Sequence, residues 1–176
     1  EVITELAGEG KDFVRSTVTY TLGDNVENLT LLGTAAVNAT GNIMKNVLIG
    51  NKADNILTGG RSKDFLTGGL GADTFDFNSV ADSFAGVKHD IVKDFVHLTD
   101  KIDLLNVDAN SLTAGNGTFT FLEGLGSAFT GVAGQLHFVA LGANTLVEGD
   151  TNGDTVADFQ IELFGTITLT AADFIL

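Results

Sequence analysis

The 176-residue chain has no cysteine, no proline and no tryptophan, and only 9 lysines and arginines against 23 aspartates and glutamates. Without cysteine there is no disulfide, no thiol nucleophile and no thiolate metal site, which fits a cytosolic protein or an exported one held together by metal. The formal net charge of −14 argues against nucleic acid and anionic membrane surfaces, both of which select cationic faces. No apolar run approaches the ~18 residues of a membrane-spanning helix. The chain opens on Glu1 without a basic-then-apolar leader, so it is expected to be a fragment of a longer protein. What is abundant is glycine, at 22 residues, and hydrophobic side chains, enough to bury a real core. The acidic excess favours cation binding, because clustered carboxylates repel one another until something neutralises them.

Glycine is not scattered. In "GNKADNILTGGRSKDFLTGGLGADTF" Gly50, Gly59 and Gly68 step by nine, as do Asn55, Asp64 and Asp73, and Leu57, Leu66 and Phe75. The frame extends back to Gly41, Asn46 and Leu48, and forward to Asp82 and Phe84, with a lone earlier unit at 7–15 containing Gly8, Gly10, Asp12 and Val14. Nine residues are too few for a helix–turn–helix unit and match no coiled-coil period. They suit a six-residue turn and a three-residue strand, two units making one coil of roughly 18 residues, so that alternate units stack. Leu48, Leu57, Leu66, Phe75 and Phe84 then form an inward ladder. The stretch "VTYTLGDNVENLTLLGTAAVNATGN" reads as further strands whose turns lack the acid.

Beyond about residue 86 the period is lost. "DIVKDFVHLTDKIDLL", "GTFTFLEG", "GQLHFVALGANTLVEGD", "ADFQIELFGTITLT" and "AADFIL" are alternating or short apolar runs that read as antiparallel strands. Such a block can cover the open end of a coil, whose last strands would otherwise be bare edges. The expected organisation is a roll over 1–85 and an antiparallel sandwich cap over 86–176, all-β throughout.

Stacking alternate units places Asp64 near Asp82, and Asp73 near position 91, one residue past Asp90. Facing carboxylates in a loop of exposed carbonyls make a hard-oxygen site. Ca2+ takes 6–8 such oxygens in irregular geometry, Mg2+ keeps several waters, and Zn2+ prefers His or Cys. Asn46 and Asn55 offer only neutral oxygens, so sites in the earlier units should be weaker or absent.

The units "GGRSKDFLT" and "GGLGADTFD" resemble the Gly-Gly-x-Gly-x-Asp-x-U-x repeat of RTX proteins. Over roughly 41–176, "GADTFDFNSVADS", "HDIVKDF", "DKIDLLNVDANS", "SAFTGVAGQLHF", "GDTNGDTVADFQIEL" and "TLTAADFIL" are similar, in order, to the C-terminal region of serralysin-type secreted metalloproteases. The resemblance implies a parallel β-roll followed by an antiparallel β-sandwich, Ca2+ between adjacent turns, and a bacterial protein secreted to the extracellular space. It implies Asp64, Asp73, Asp82 and Asp90 as ligands, with backbone oxygens of Gly59, Arg61, Gly68 and Leu70, and with Gly69 and Gly71 as further candidates. Ser62 replaces a glycine of the repeat, and Arg61 and Lys63 bring positive charge beside Asp64, so one or two full sites are expected rather than a long row. The ending Asp173, Phe174, Ile175, Leu176 resembles the acidic-then-apolar tail read by type I secretion exporters.

"DTNGDTVAD" places Asp150, Asn152, Asp154 and Asp158 at spacings that resemble the start of a calcium loop. An EF-hand wants Gly and Glu where Thr155 and Ile161 stand, and Asn152-Gly153 is a strong hairpin-turn signal, so the loop reads either as an acidic hairpin turn or as a second metal site. Catalysis finds little support. HExxH and GxSxG are absent, no phosphate loop follows the glycines, and His89, His97 and His137 are isolated from one another. Asp90 and Asp94 could imitate an acid/base pair, but no substrate pocket is legible. The chain therefore reads as a non-enzymatic calcium-binding module that supports secretion and folding of an upstream domain, such as the zinc metalloprotease of the resembled family. The rival is a calcium-dependent carbohydrate-binding or adhesive module, as in the RTX modules of alginate epimerases, with Arg61, Lys63, Lys88, Lys93 and Lys101 as the cations near the roll.

Overall fold

A computed structural model describes residues 5–6 and 10–176. Gly8 of the lone early unit lies outside them. Short strands alternate between two sheets as the chain winds. β1 (Phe13–Ser16), β3 (Asn28–Leu31), β5 (Val47–Ile49), β7 (Phe65–Thr67) and β9 (Asp90–Val92) pair in parallel in one sheet. β2 (Tyr20–Thr21), β4 (Ala39–Thr40), β6 (Ile56–Thr58), β8 (Thr74–Asp76) and β10 (Lys101–Asp103) pair in parallel in the other. This is a parallel β-roll. The 18-residue coil appears directly in the register, with Leu48 opposite Leu66 and Leu57 opposite Phe75. The acid-free stretch supplies β2, β3 and β4, as its apolar spacing predicts.

The inward ladder is real except at its end. Leu48, Leu57, Leu66 and Phe75 have no exposed surface, but Phe84 is 50% exposed. Val92 stands opposite Leu66 in its place, and Ile102 opposite Phe75. The reason is an insertion. After Phe77 the chain leaves the coil through a short 3-10 turn (Val80–Asp82) and re-enters at β9, so the step from β7 to β9 is longer than the coils before it. Residues 90–103, expected as antiparallel strands, therefore continue the roll as one more parallel coil.

Beyond them β11 (Thr120–Phe121), β12 (Gln135–Leu141), β13 (Asn144–Asp150) and β14 (Phe159–Leu163) extend the first sheet to nine strands, β12–β13–β14 being the antiparallel part. β14 docks in parallel on β9 with Leu163 opposite Val92, and the last strand, β15 (Phe174–Ile175), docks in parallel on β10 with Phe174 opposite Ile102. The end of the chain thus completes both sheets, and one apolar core runs from Val14 and Leu29 to Ile161 and Phe174. Among the described residues, no helix is long and apolar enough to cross a membrane.

Candidate metal centre

From residue 41 to 73 each coil turn begins with a glycine and ends with an amide or a carboxylate just before a strand. The first glycine is required by closeness. A Cβ on Gly59 would lie 2.5 Å from Asp64 Oδ2, and one on Gly68 would lie 2.3 Å from Asp73 Oδ2. On Gly41 and Gly50 it would meet the carbonyl oxygens of Gly59 and Gly68, at 2.2 and 2.1 Å. The turns are therefore nested cradles in which each glycine is crowded by the acid of its own turn or by a carbonyl oxygen of the following coil.

The amides and acids in these cradles behave differently. Asn46 Oδ1 accepts the N–H of Asn42 in its own turn, and its Nδ2 donates back to the carbonyl of Val26. Asn55 does the same with Asn51 and Val37. An amide, both donor and acceptor, satisfies itself in a stack. A carboxylate cannot, because it only accepts. Asp64 Oδ1 takes the N–H of Asn46 at 2.7 Å, and Asp90 Oδ1 takes the N–H of Asp64 at 2.7 Å. Their second oxygens, Asp64 Oδ2 and Asp90 Oδ2, are buried with no hydrogen-bond partner. Burial, with the neighbouring carboxylates adding to it, pushes Asp64 up to about 8 and Asp90 up to about 9. The Asp82 charge contributes to both shifts, so it lies within their field, although its Oδ2 accepts the N–H of Asn78.

A parallel arrangement occupies the other edge. Asp73 Oδ1 accepts the N–H of Asn55, and Asp100 Oδ1 accepts the N–H of Asp73 at 3.0 Å. Burial raises both, Asp73 to about 6. The expected pairing of Asp73 with Asp90 is thus corrected. The insertion moves Asp90 into the stack above Asp64, and Asp100 stands above Asp73. Asp100 carries a signal that the nine-residue count hides. Asp90-Ile91-Val92 and Asp100-Lys101-Ile102 repeat the acid–x–apolar order of Asp64-Phe65-Leu66 and Asp73-Thr74-Phe75. Asp94, considered above as half of a dyad with Asp90, instead clamps the next turn by accepting the N–H groups of Gly68 and Gly69.

Among the described residues no hydrogen bond reaches the carbonyl oxygens of Gly59, Arg61, Gly68 or Leu70. No three carboxylate or imidazole side chains there converge as a cluster, so a cation would have to draw on paired carboxylates and backbone oxygens together. That donor set fits Ca2+, which accepts carbonyl oxygens at irregular angles, better than Zn2+.

The second acidic loop is different. Asp150 is fully buried, but its Oδ1 accepts from Asn152 N and Gly153 N, and its Oδ2 from Thr155 N. Asp158 takes the N–H and hydroxyl of Thr151 and the side-chain amide of Asn152. Asp154 accepts from Val156 N. These oxygens are engaged in holding the β13–β14 hairpin, with Gly153 and Thr155 at φ 78° and 72°. Asp150, Asn152, Asp154 and Asp158 thus lie in one hydrogen-bonded turn, the hairpin arrangement that Asn152-Gly153 signals, with their side-chain oxygens accepting from donors of the same loop. The histidines pair singly with acids: His89 with Glu162, His97 with Asp173 and His137 with Glu148.

Nested glycine turns, stacked acids and two sheets closed by the chain's own end define a known type of module, and the family model for the peptidase M10 serralysin C-terminal region matches residues 21–176. The chain belongs to that family. This serralysin-type RTX module is similar to the solution structure of the AlgE6R2 subunit from the Azotobacter vinelandii mannuronan C5-epimerase. The two share 25% identity and a TM-score of 0.54, over 97% of this chain and 94% of that one. The AlgE6R3 subunit of the same enzyme aligns at 20% identity and a TM-score of 0.48, over 96% of this chain and 81% of that one. No curated protein matches the chain.

Proposed function

We propose that this RTX module is a non-catalytic calcium switch for folding, which takes its shape outside the cell. The observation that carries the reading is the buried pair Asp64 Oδ2 and Asp90 Oδ2, acceptors with no donor, in a stack where the amides of earlier coils are satisfied. Asp64 and Asp90, with carbonyl oxygens of the 59–64 turn and support from Asp82, would hold one ion. Asp73 and Asp100, with those of the 68–73 turn, would hold another. A bound cation supplies the positive charge that lets these carboxylates remain ionised while buried, and binding only to the folded roll stabilises it by mass action.

Without calcium the acidic turns repel, which keeps the chain extended enough for passage through a narrow exporter. Asp173, Phe174, Ile175 and Leu176 serve as the exporter's address while unfolded. Once calcium is met, Asp173 is buried and Phe174 enters the core, so the address is withdrawn as the module forms and supports an upstream domain. The absence of HExxH agrees with a supporting role. The test is circular dichroism of the purified chain during a Ca2+ titration from chelator, with Mg2+ alongside. Strand signal should rise with Ca2+ and much less with Mg2+, and an unchanged spectrum and melting temperature in chelator would refute the reading.

A further inference from the structure

The turn that carries Arg61 and the insertion after Phe77 form a groove of about 440 Å3, lined by Ile43, Arg61, Ser62, Ala81, Phe84 and Lys88. Its apolar side chains stand in the open, Ile43 71% exposed and Phe84 50%. Neither is on a loose segment. Phe84 forms an antiparallel bridge with Phe159, the Ala85 N–H donates to the Asp158 carbonyl, and the Gln160 N–H donates to the Ser83 carbonyl. The backbone under the exposed ring is therefore fixed on both sides. The other segment is held as firmly. Ser62 stands at φ 84°, a conformation that favours glycine, and its hydroxyl donates to the Ile43 carbonyl at 2.8 Å. That bond ties the Arg61–Ser62 turn to the turn of the preceding coil, and the strained serine supplies a link that a glycine could not.

Two of the chain's 9 lysines and arginines line this groove, on a protein of net charge −14. Every ion pair among the described residues belongs to a histidine, so Arg61 and Lys88 have no acidic partner there. Exposed apolar surface rimmed by charge marks a site of interaction, and a ring on a fixed backbone is an anchor that loses little freedom on binding. The lining also selects the occupant. No Asp, Glu, Asn or Gln lines the groove, and its one hydroxyl donates to Ile43, so a ligand rich in hydroxyl groups finds few partners. A nucleic acid would bring dense phosphate charge against a strongly acidic protein. An acidic peptide with a large apolar side chain is matched at each group, since a guanidinium takes a carboxylate through two parallel hydrogen bonds and an ammonium takes a second one.

We infer that this groove is a docking site for an acidic segment of a partner protein, in which a leucine or phenylalanine is flanked by carboxylates. The apolar side chain packs on Ile43 and Phe84, and the flanking carboxylates meet Arg61 and Lys88. Docking is linked to calcium, a feature that rests on the folding reading proposed above. Arg61 and Ser62 belong to the 59–64 turn, and Ala81 to the 3-10 turn that ends at Asp82, so the segments that form the groove are those that would hold the ion. Peptide and ion then favour the same folded state, and each raises the affinity for the other by the same factor.

The test is an NMR titration of the isotope-labelled whole chain, saturated with calcium, with a capped peptide of two aspartates, a leucine, a phenylalanine and two glutamates. A peptide with the acids replaced by their amides, one with the apolar pair replaced by alanines, and a galacturonate hexamer are run in parallel. The acidic peptide should shift the amide signals of Ile43, Arg61, Ser62, Phe84 and Lys88 saturably, and the three controls should bind far more weakly. Arg61→Ala/Lys88→Ala, which keeps the Arg61 carbonyl, should weaken binding by roughly tenfold, two exposed charge contacts at the upper end of their usual strength. Lys45→Ala/Lys93→Ala, the same charge change elsewhere on the roll, should leave it unaltered. Phe84→Ala truncates an exposed ring and should weaken binding while the strand signal in circular dichroism is kept. That signal, followed in calcium and in chelator, judges the folding reading separately: a strand content indifferent to calcium counts against the switch, and the peptide still decides the groove. Absence of saturable shifts at these residues in the folded protein, equal loss in both double variants, or the hexamer binding as tightly as the peptide would each overturn the proposal.

Discussion

Replacing Asp90 by asparagine should move the metal-free and calcium-loaded protein in opposite directions. Without metal, Asp64 Oδ2 and Asp90 Oδ2 are buried acceptors that face no donor. Each such atom costs about 1–3 kcal/mol. An amide at 90 keeps an oxygen for the Asp64 N–H, now 2.7 Å away, and adds a donor for the acid beside it. Asn46 and Asn55 already show amides satisfied at the equivalent turn position. If one orphan is relieved, the variant should melt higher in chelator by about 2–12 °C, at roughly 2–4 °C per kcal/mol for a chain of this size. In calcium the order should reverse. The wild type gains about 2.7 kcal/mol when calcium is a hundredfold above its Kd, and a variant short of one charged ligand loses much of that gain.

The pH dependence carries a definite sign. The folded-state values of about 8 for Asp64 and about 9 for Asp90 lie above the ordinary 3.8. Their contribution to the metal-free fold is therefore fully present below pH ~4 and is lost as pH rises to ~9. Asp90→Asn removes one of the two titrations, so its advantage over wild type in chelator should grow from pH 4 to pH 9. Thermal melts followed by circular dichroism, with and without chelator over that range, give both results. A variant that melts below wild type in chelator by as much as in calcium would refute the reasoning.

Three further outcomes follow. Asp73→Ala should weaken calcium binding in calorimetry more than Asp150→Ala, whereas Asp150→Ala should lower the melting temperature alike in calcium and chelator, because its oxygens tie a turn rather than an ion. Leu66→Ala removes a fully buried ladder residue and should cost about 2–5 kcal/mol in denaturant unfolding of the calcium form, against less than 0.5 for the exposed Val87→Ala. Deleting residues 173–176 should abolish export of a reporter fusion through a type I exporter and also destabilise the purified module, since Phe174 fills the core; normal export of the truncated fusion would remove the address role.

The nine-residue step made the roll legible because each position of the repeat has one task that only a few side chains perform. Glycine leaves room for an oxygen, an amide or acid ends the turn, and an apolar residue enters the ladder. The register of 18 followed from that alone. The exit at Phe77 broke the count without breaking the fold. Strand pairing is decided by which edge is free and which residue is apolar, and Asp90-x-Val92 and Asp100-x-Ile102 satisfy that edge after a detour of any length. Asp100 was hidden for this reason, and Phe84, in the correct numerical place, lies outside the core. The parallel docking of β14 and β15 was equally hidden, since nothing in their own alternation specifies a partner from the roll.

The position of the acids along the stack gives calcium a local target. The turns of the earlier coils are tied by amides: Asn42 Nδ2 donates to Gly23 and Val26, and Asn51 Nδ2 to Ala35. The acids begin at Asp64 and Asp73, immediately before β7 and β8, and of their partners Asp90 opens β9 and Asp100 immediately precedes β10. Those are the strands onto which β14 and β15 dock. Repulsion between the acids therefore acts at the junction where the last part of the chain must join the roll, while the turns before β5 and β6 are closed by the amides of Asn46 and Asn55. Hydrogen exchange of the metal-free protein should accordingly show a graded pattern. Amides of β9, β10, β14 and β15 should exchange fastest relative to the calcium form, with those of β3 to β6 retaining the most protection. Uniform loss of protection along the chain would show that the roll opens as one unit and that the satisfied asparagine turns confer no independence from the ion.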